Sequence, residues 1–167
     1  MPICYMLIGC PGSGKTTFLN KNFYDFPRDA EGSLPFITGT DLYIERIAEA
    51  LEATYSEVFK DAYKLAEKCF WNDIQSAASG QESIIIDRTN MTRKGRKKFF
   101  DALNGYRFEA IIFNEPDNLG ERLASRRGKE ISRDIVQSML NSYDAPSFAE
   151  GFCAVWDASL FVESLQK

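Results

Sequence analysis

The sequence predicts an α/β fold, a right-handed parallel sheet covered by helices, with its sites at the carboxyl ends of the strands. Three observations predict it. Apolar runs at 3–8 and 83–86 are continuous rather than alternating, as strands buried on both faces must be. Between them, apolar residues recur at i, i+3 and i+4, the period of a helix with one buried face. The first run ends in a glycine-rich turn that opens directly into a helix. A chain of 167 residues can bury one core of its own, so 1–167 is read as a single domain.

That turn organises the rest. After Ile3–Ile8 the chain reads Gly9-Cys10-Pro11-Gly12-Ser13-Gly14-Lys15-Thr16-Thr17, the G-x-x-x-x-G-K-T of a phosphate-binding loop between a strand and a helix. Glycines at 9, 12 and 14 are expected to let the backbone turn with positive φ and come close to an anion. The amides of the turn form a nest, and the helix that follows adds the positive end of its dipole. Lys15 can reach the β and γ phosphates, and the Thr16 hydroxyl can take one site on Mg²⁺. Residues 9–17 are therefore the expected contacts of a nucleoside triphosphate.

Taken in order, a helix over 15–23 turns Phe18 and Leu19 inward, and 24–35, with Pro27, Gly32 and Pro35, is a surface connection. A short strand at 36–38 leads to Asp41, a candidate N-cap for a helix through Leu51 whose apolar face is Tyr43, Ile47, Ala50 and Leu51. A second helix is expected from Ser56 to about Ala78, with a stripe of Phe59, Ala62, Tyr63, Ala66, Phe70 and Ile74. The run 83–86 is a central strand ending in Asp87. Thr92 caps a helix to Leu103, which Gly105 stops. A strand over 108–113 precedes a helix from Pro116 to about Arg126, a helix from about Arg133 to Tyr143 and a last strand over 152–156.

Composition narrows the function. A net charge of −4 argues against a protein that coats nucleic acid by bulk electrostatics. Four cysteines without a C-x-x-C pair, and no histidine, argue against a zinc site and read as small buried thiols. Without histidine, a general base must be a carboxylate, Lys, Tyr or Cys. Met1-Pro2 leads straight into the first strand with nothing like a signal peptide, so the cytoplasm is the expected location.

Three strand ends point to one edge. A carboxylate closing an apolar strand is the usual Mg²⁺ partner beside a phosphate loop, and Asp87 fits that place. Asp41 could accept the proton of an incoming hydroxyl as well as cap its helix. Arg122 and Arg126 share a helix face, and Arg127 and Lys129 follow in a break containing Gly128, so about 122–132 reads as a cationic lid over a γ-phosphate. The basic run Arg93-Lys94-Gly95-Arg96-Lys97-Lys98 reads as the outer face of its helix, although such a run can also track a nucleic-acid backbone. Trp71 lies off its helix's apolar stripe. It could stack on a base, but packing between helices is the simpler reading.

On these residues the chain resembles the P-loop kinases of polynucleotide 5′-hydroxyl ends, found in phages and in DNA-repair enzymes. The loop at 9–17 is very similar to the phage enzyme's. Asp87-Arg88-Thr89-Asn90 resembles that family's D-x-T-N segment, with Arg96 six residues beyond. Phe113-Asn114-Glu115-Pro116, Arg122 and Arg126-Arg127-Gly128 resemble the strand and lid that follow. The resemblance covers about 3–143. It implies a nucleotide-kinase-like five-stranded sheet of order 2-3-1-4-5, with acceptor-binding helices at about 41–79. It also implies ATP-dependent, Mg²⁺-assisted transfer of the γ-phosphate to a nucleic acid 5′-OH end. Asp41 would be the base, and Lys15, Arg122 and Arg126 or Arg127 would form the clamp. Thr16 and Asp87 would serve the metal, while Arg46, Asn90 and Arg96 would hold the acceptor. The sequence departs from the family three residues past Asp41, where Ile44 stands in place of an arginine; the nearest arginine is Arg46. Related kinases phosphorylate small metabolites, nucleotide sugars or hydroxymethylated bases in DNA, so a small-molecule acceptor is the alternative. A nucleotide-dependent switch without transfer is the reading of another class; it needs no acceptor base.

Overall fold

The computed structural model describes residues 1–166. Five strands, β1 (Ile3–Ile8), β2 (Phe36–Thr38), β3 (Ile84–Asp87), β4 (Arg107–Ile112) and β5 (Phe152–Asp157), form one sheet in the order β2-β3-β1-β4-β5. Every neighbouring pair is parallel. This is the order that the resemblance implies. Seven helices follow the chain: α1 (Lys15–Asn22), α2 (Thr40–Ala50), α3 (Tyr55–Gly80), α4 (Arg93–Ala102), α5 (Leu119–Ala124), α6 (Arg133–Asn141) and α7 (Ala158–Leu165).

The continuous apolar strands are explained by two cores, one on each face. Alternate residues of β1 part company: Cys4, Met6 and Ile8 pack with Phe70 and Ile74 of α3 and Phe99 of α4. Tyr5 and Leu7 pack with Phe18 of α1 and Phe161 of α7. In β3, Ile84 and Ile86 join the first core and Ile85 the second. Each fully buried side chain of this kind contributes about 1.5–3 kcal/mol. A third, small core joins α2 to α3 through Ile44, Ala48, Val58, Ala62 and Ala66.

That third core corrects two expected helix faces. On α2 the buried residues are Ile44 and Ala48, while Leu51 is 65% exposed. On α3 the buried line is Val58, Ala62, Ala66, Phe70 and Ile74, and Phe59 and Tyr63 lie outside. Small alanines at 62 and 66 let α2 come close, and that selects the face; size decides where hydrophobicity alone favours the aromatics. Thr54 starts α3 with a capping box, its backbone N–H donating to Glu57 at 2.7 Å. Pro116 does not open a helix: α5 begins at Leu119, whose amide donates to the Pro116 carbonyl. Phe26, in the expected surface connection, is fully buried against Tyr5 and Phe161. Cys4 and Cys10 are buried, but Cys153 is exposed because it sits on the outer strand β5. No helix of the described residues is long and apolar enough to cross a membrane.

Candidate active site

Register brings the site together. Leu7 lies beside Asp87 and Thr38 beside Ile86, so β1, β3 and β2 end level and release their next residues at one edge. There a cleft of about 520 Å³ is lined by the 11–17 loop, Asp41, Asp87, Arg122, Arg126 and Lys129.

The loop has the geometry of an anion cradle. Gly12 and Gly14 take positive φ, 85° and 104°, and Gly14 hands directly into α1. These features fit a bound nucleotide polyphosphate. Gly9 does not take the positive φ expected of it; a Cβ there would collide with Ser13 Oγ and Phe113, so close packing is what requires the glycine. Lys15 Nζ donates to the carbonyls of Gly9 and Cys10 at 2.8 and 3.0 Å. Burial pushes its pKa down to about 8, against the opposing pull of Asp87. Thr16 and Thr17 stand exposed in the first turn of α1.

Asp87 is pushed up by burial; the Lys15 ammonium opposes this and Asp41 adds to it. Among the described residues no group of three or more acidic, cysteine or histidine side chains could hold a metal alone. Thr16 and Asp87 are the side chains that could hold Mg²⁺, which prefers one or two protein ligands together with phosphates and water.

Asp41 is not an N-cap. The cap of α2 is Gly39, and Asp41 lies in the first helical turn. Gly39 is required there because a Cβ would collide with the Asp87 carbonyl oxygen. That close passage of β2 across the end of β3 sets Asp41 at the cleft mouth, its side chain 53% exposed. Partial burial pushes its carboxyl up, but Lys129 Nζ at 2.9 Å and the Tyr55 hydroxyl at 2.8 Å outweigh this and hold it below its ordinary value. Tyr55 is pushed well up by burial and by Asp41, and Cys10 is pushed up by burial. Both stay neutral near pH 7, while Asp41 is held ionised at the mouth.

The lid turn is docked on the start of α3. Ser56 donates its amide to the Gly128 carbonyl at 2.8 Å, and Glu130 donates its amide to Ser56 Oγ at 2.9 Å. Gly128 has φ 74°, and a Cβ there would press on the Thr54 side chain at 2.9 Å. This docking turns Arg126 into the cleft beside Arg122, whose guanidinium reaches the loop at Gly14. Arg127 is exposed and does not line the cleft; it borders an adjoining shallow depression with Glu49 and Ala53.

Three expected acceptor contacts do not come to the cleft. Arg96 is fully buried, bidentate to Glu150 at 2.7 and 2.9 Å, and donates to the carbonyls of Asn90, Met91 and Asp144. It is not on the outer face of its helix; it ties the 90–91 and 144–150 segments together. Asn90, at φ 49°, donates its amide to the carbonyls of Leu7 and Ile86 and staples the ends of β1 and β3. Arg46 is exposed and lies over the Tyr43 ring, outside the cleft wall. Trp71 stacks on Phe99 between α3 and α4, the packing role.

A family model described as an AAA domain matches residues 5–146. The chain belongs to that AAA-domain family. Solved structures similar to it include a candidate kinase from Chloroflexus aurantiacus j-10-fl, with 15% identity and a TM-score of 0.68 over 99% of this chain and 97% of that one. A sugar kinase from Janibacter sp. HTCC2649 matches at 18% identity and 0.59, covering 99% and 90%. A chain of the Pnkp1/Rnl/Hen1 RNA repair complex matches at 18% identity and 0.64, covering 84% of this AAA-domain chain and 43% of that one. These likenesses identify the fold as that of the P-loop kinases.

Sequence reasoning missed Gly39, Tyr55 and the part Lys129 plays. Thr54-x-x-Glu57 is a signal that would have placed Tyr55 at the start of α3. Nothing in the sequence pairs Lys129 with Asp41, 88 positions away.

Proposed function

We propose that the chain is an ATP-dependent phosphotransferase that moves the γ-phosphate to the hydroxyl of a small molecule. The observation that carries this is the convergence of Lys15, Asp41 and Arg126 on one cleft. A switch would need the loop but not a positioned acceptor base.

In this reading the loop amides and Lys15 hold the β and γ phosphates, and Lys15 exchanges its carbonyl partners for phosphate oxygens. Asp41 orients the acceptor hydroxyl toward phosphorus and takes its proton as the new O–P bond forms and the β–γ bridge bond breaks. Arg122 and Arg126 stabilise charge on the transferring group; such arginines are worth ~10³–10⁵ in rate in phosphoryl transfer. Mg²⁺, when bound, would supply positive charge against the phosphates. Thr16 and Asp87 would hold it.

A small acceptor is favoured over a polynucleotide end by three positions, two of them cations. Position 44 is a buried isoleucine, Arg96 is locked to Glu150, and Arg46 lies outside the cleft. None offers itself to a backbone phosphate. The polynucleotide 5′-hydroxyl remains the second reading, supported by the D-x-T-N segment and by the likeness to a chain of an RNA repair complex.

Transfer of labelled γ-phosphate should be screened across small hydroxyl compounds and 5′-OH oligonucleotides, with Lys15→Ala as control. Label is expected in small molecules and in nothing with Lys15→Ala. Label on oligonucleotide ends alone would return the second reading, and ATP turnover without any acceptor would sink both.

A further inference from the structure

Beside the phosphate cleft lies a second cavity of about 560 Å³, sharing Pro11, Asp41, Asp87, Arg88 and Thr89 with the first. Its size is that of an ordinary small-molecule site. One wall is an aromatic ladder on α3. Tyr55, Phe59 and Tyr63 follow at i, i+4 and i+8, with ring centroids 5.5 Å apart at each step. Ile131, and Ile135 and Met139 of α6, supply apolar wall from the lid side.

The ladder is not there to pack α3. Val58, Ala62 and Ala66 do that, while Phe59 and Tyr63 remain 41% and 42% exposed. A contiguous apolar patch left open at the edge of a cleft marks a binding site. Its first rung also reaches the chemistry, since the Tyr55 hydroxyl donates to Asp41 at 2.8 Å. Charge in the cavity is one-sided. Asp41, Asp87 and Glu130 line it, and the single cation, Arg88, is held by Glu67 at 3.0 Å and lies 4.8 Å over the Phe70 ring. Lys129 pairs Asp41, but Asp87 and Glu130 carry no ion pair among the described residues, so an acceptor bearing its own phosphate or carboxylate would be repelled by those two.

We infer that this cavity seats an uncharged alcohol bearing a flat ring, of the nucleoside type, with the ring against Phe59 and Tyr63 and the hydroxyl at Asp41. The inference rests on the kinase reading for its hydroxyl end only. The ring seat stands on the ladder and the cavity's charge.

The test separates the two. Saturation-transfer NMR with adenosine, thymidine and pyridoxine as probes, and with gluconate and glycerol as open-chain controls, reads binding without requiring transfer. At least one ring compound is expected to bind, with transfer strongest to its ring protons, and the open-chain controls not at all. Thymidine 3′-monophosphate should bind at least about tenfold more weakly than thymidine. Phe59→Leu keeps apolar volume but removes the stacking face, so ring binding should fall at least about tenfold, while Phe59→Trp retains it. ATP affinity in each variant reports that the fold is intact. The inference is overturned if no ring compound binds, if Phe59→Leu binds like wild type, or if the 3′-phosphate makes no difference. A ring compound that binds without ever being phosphorylated would uphold the seat and overturn the kinase reading. Phosphorylation of gluconate with no ring binding would do the reverse.

Discussion

Lys129 Nζ meets the Asp41 carboxylate at 2.9 Å, bridging the lid to α2. The same ammonium bonds Glu45 at 2.7 Å and sits 4.2 Å from the centre of the Tyr55 ring. Asp41 is thereby held by two donors, Lys129 and Tyr55, and kept ionised. A carboxylate so held would be a weak base, which would suit transfer through a loose transition state in which the acceptor proton leaves late.

Asp41→Asn should therefore separate chemistry from structure. Asp41 caps nothing, and half-exposed ion pairs are worth about 0–1 kcal/mol, so the melting midpoint should move little. Transfer should fall by roughly 10²–10⁴ in a single-turnover measurement. Wild-type turnover would remove Asp41 from the mechanism.

Lys129→Met should shift the acid limb of the kcat/KM profile. Lys129 favours the ionised carboxylate, so without it Asp41 keeps its proton to higher pH. Asp87 and Glu45 also face Asp41 and push the same way, Lys15 opposes them, and Tyr55 stays neutral. Activity should thus fail at a higher pH than in wild type. A limb that stays put, or moves downward, would show that Lys129 does not tune this group.

Lys15 should link nucleotide binding to protons. Its pKa of about 8 lies below the ordinary 10.5, so the folded protein holds fewer protons than the unfolded chain between those values. Its destabilising contribution is therefore full below pH 8 and fades as pH rises toward 10.5. A bound polyphosphate restores the charge, so binding at about pH 8.5 should take up a fraction of a proton. Calorimetry in buffers of different ionisation enthalpy reads that uptake. Lys15→Arg, charged throughout, should abolish it.

The two neighbouring lid arginines should behave unequally. Arg126→Ala should lower kcat by at least ~10²-fold with little change in ATP affinity. Arg127→Ala, at a position that does not line the cleft, should stay within about twofold. Equal losses would mean that the lid turn rotates during turnover.

Arg96 and Glu150 should prove structural. Removing one partner of a buried pair leaves the other charge uncompensated and costs about 3–5 kcal/mol, so Arg96→Met and Glu150→Ala should each depress Tm sharply. Below that Tm, the acceptor KM should be unchanged. A raised KM at intact stability would return Arg96 to the acceptor.

The phosphate loop, the parallel sheet and Asp87 were legible in the chain because each rests on neighbours in sequence. A glycine-rich turn, a continuous apolar run and a carboxylate at a strand end announce themselves locally. The final helix, α7, was not read; only the need to cover Tyr5 and Leu7 on the second face explains it. The aromatic residues of α3 were read as core because hydrophobicity does not tell which apolar stripe faces a neighbouring helix. Tertiary packing chose Ala62 and Ala66 and left Phe59 and Tyr63 exposed. Sequence placed cations at 46, 96, 126, 127 and 129 without ordering them. Arg96 and Lys129 take their roles from Glu150 and Asp41, 54 and 88 positions away, and such pairings are properties of the folded chain. The residues determined that a phosphate would be bound here; the fold decided which side chains could stand around it.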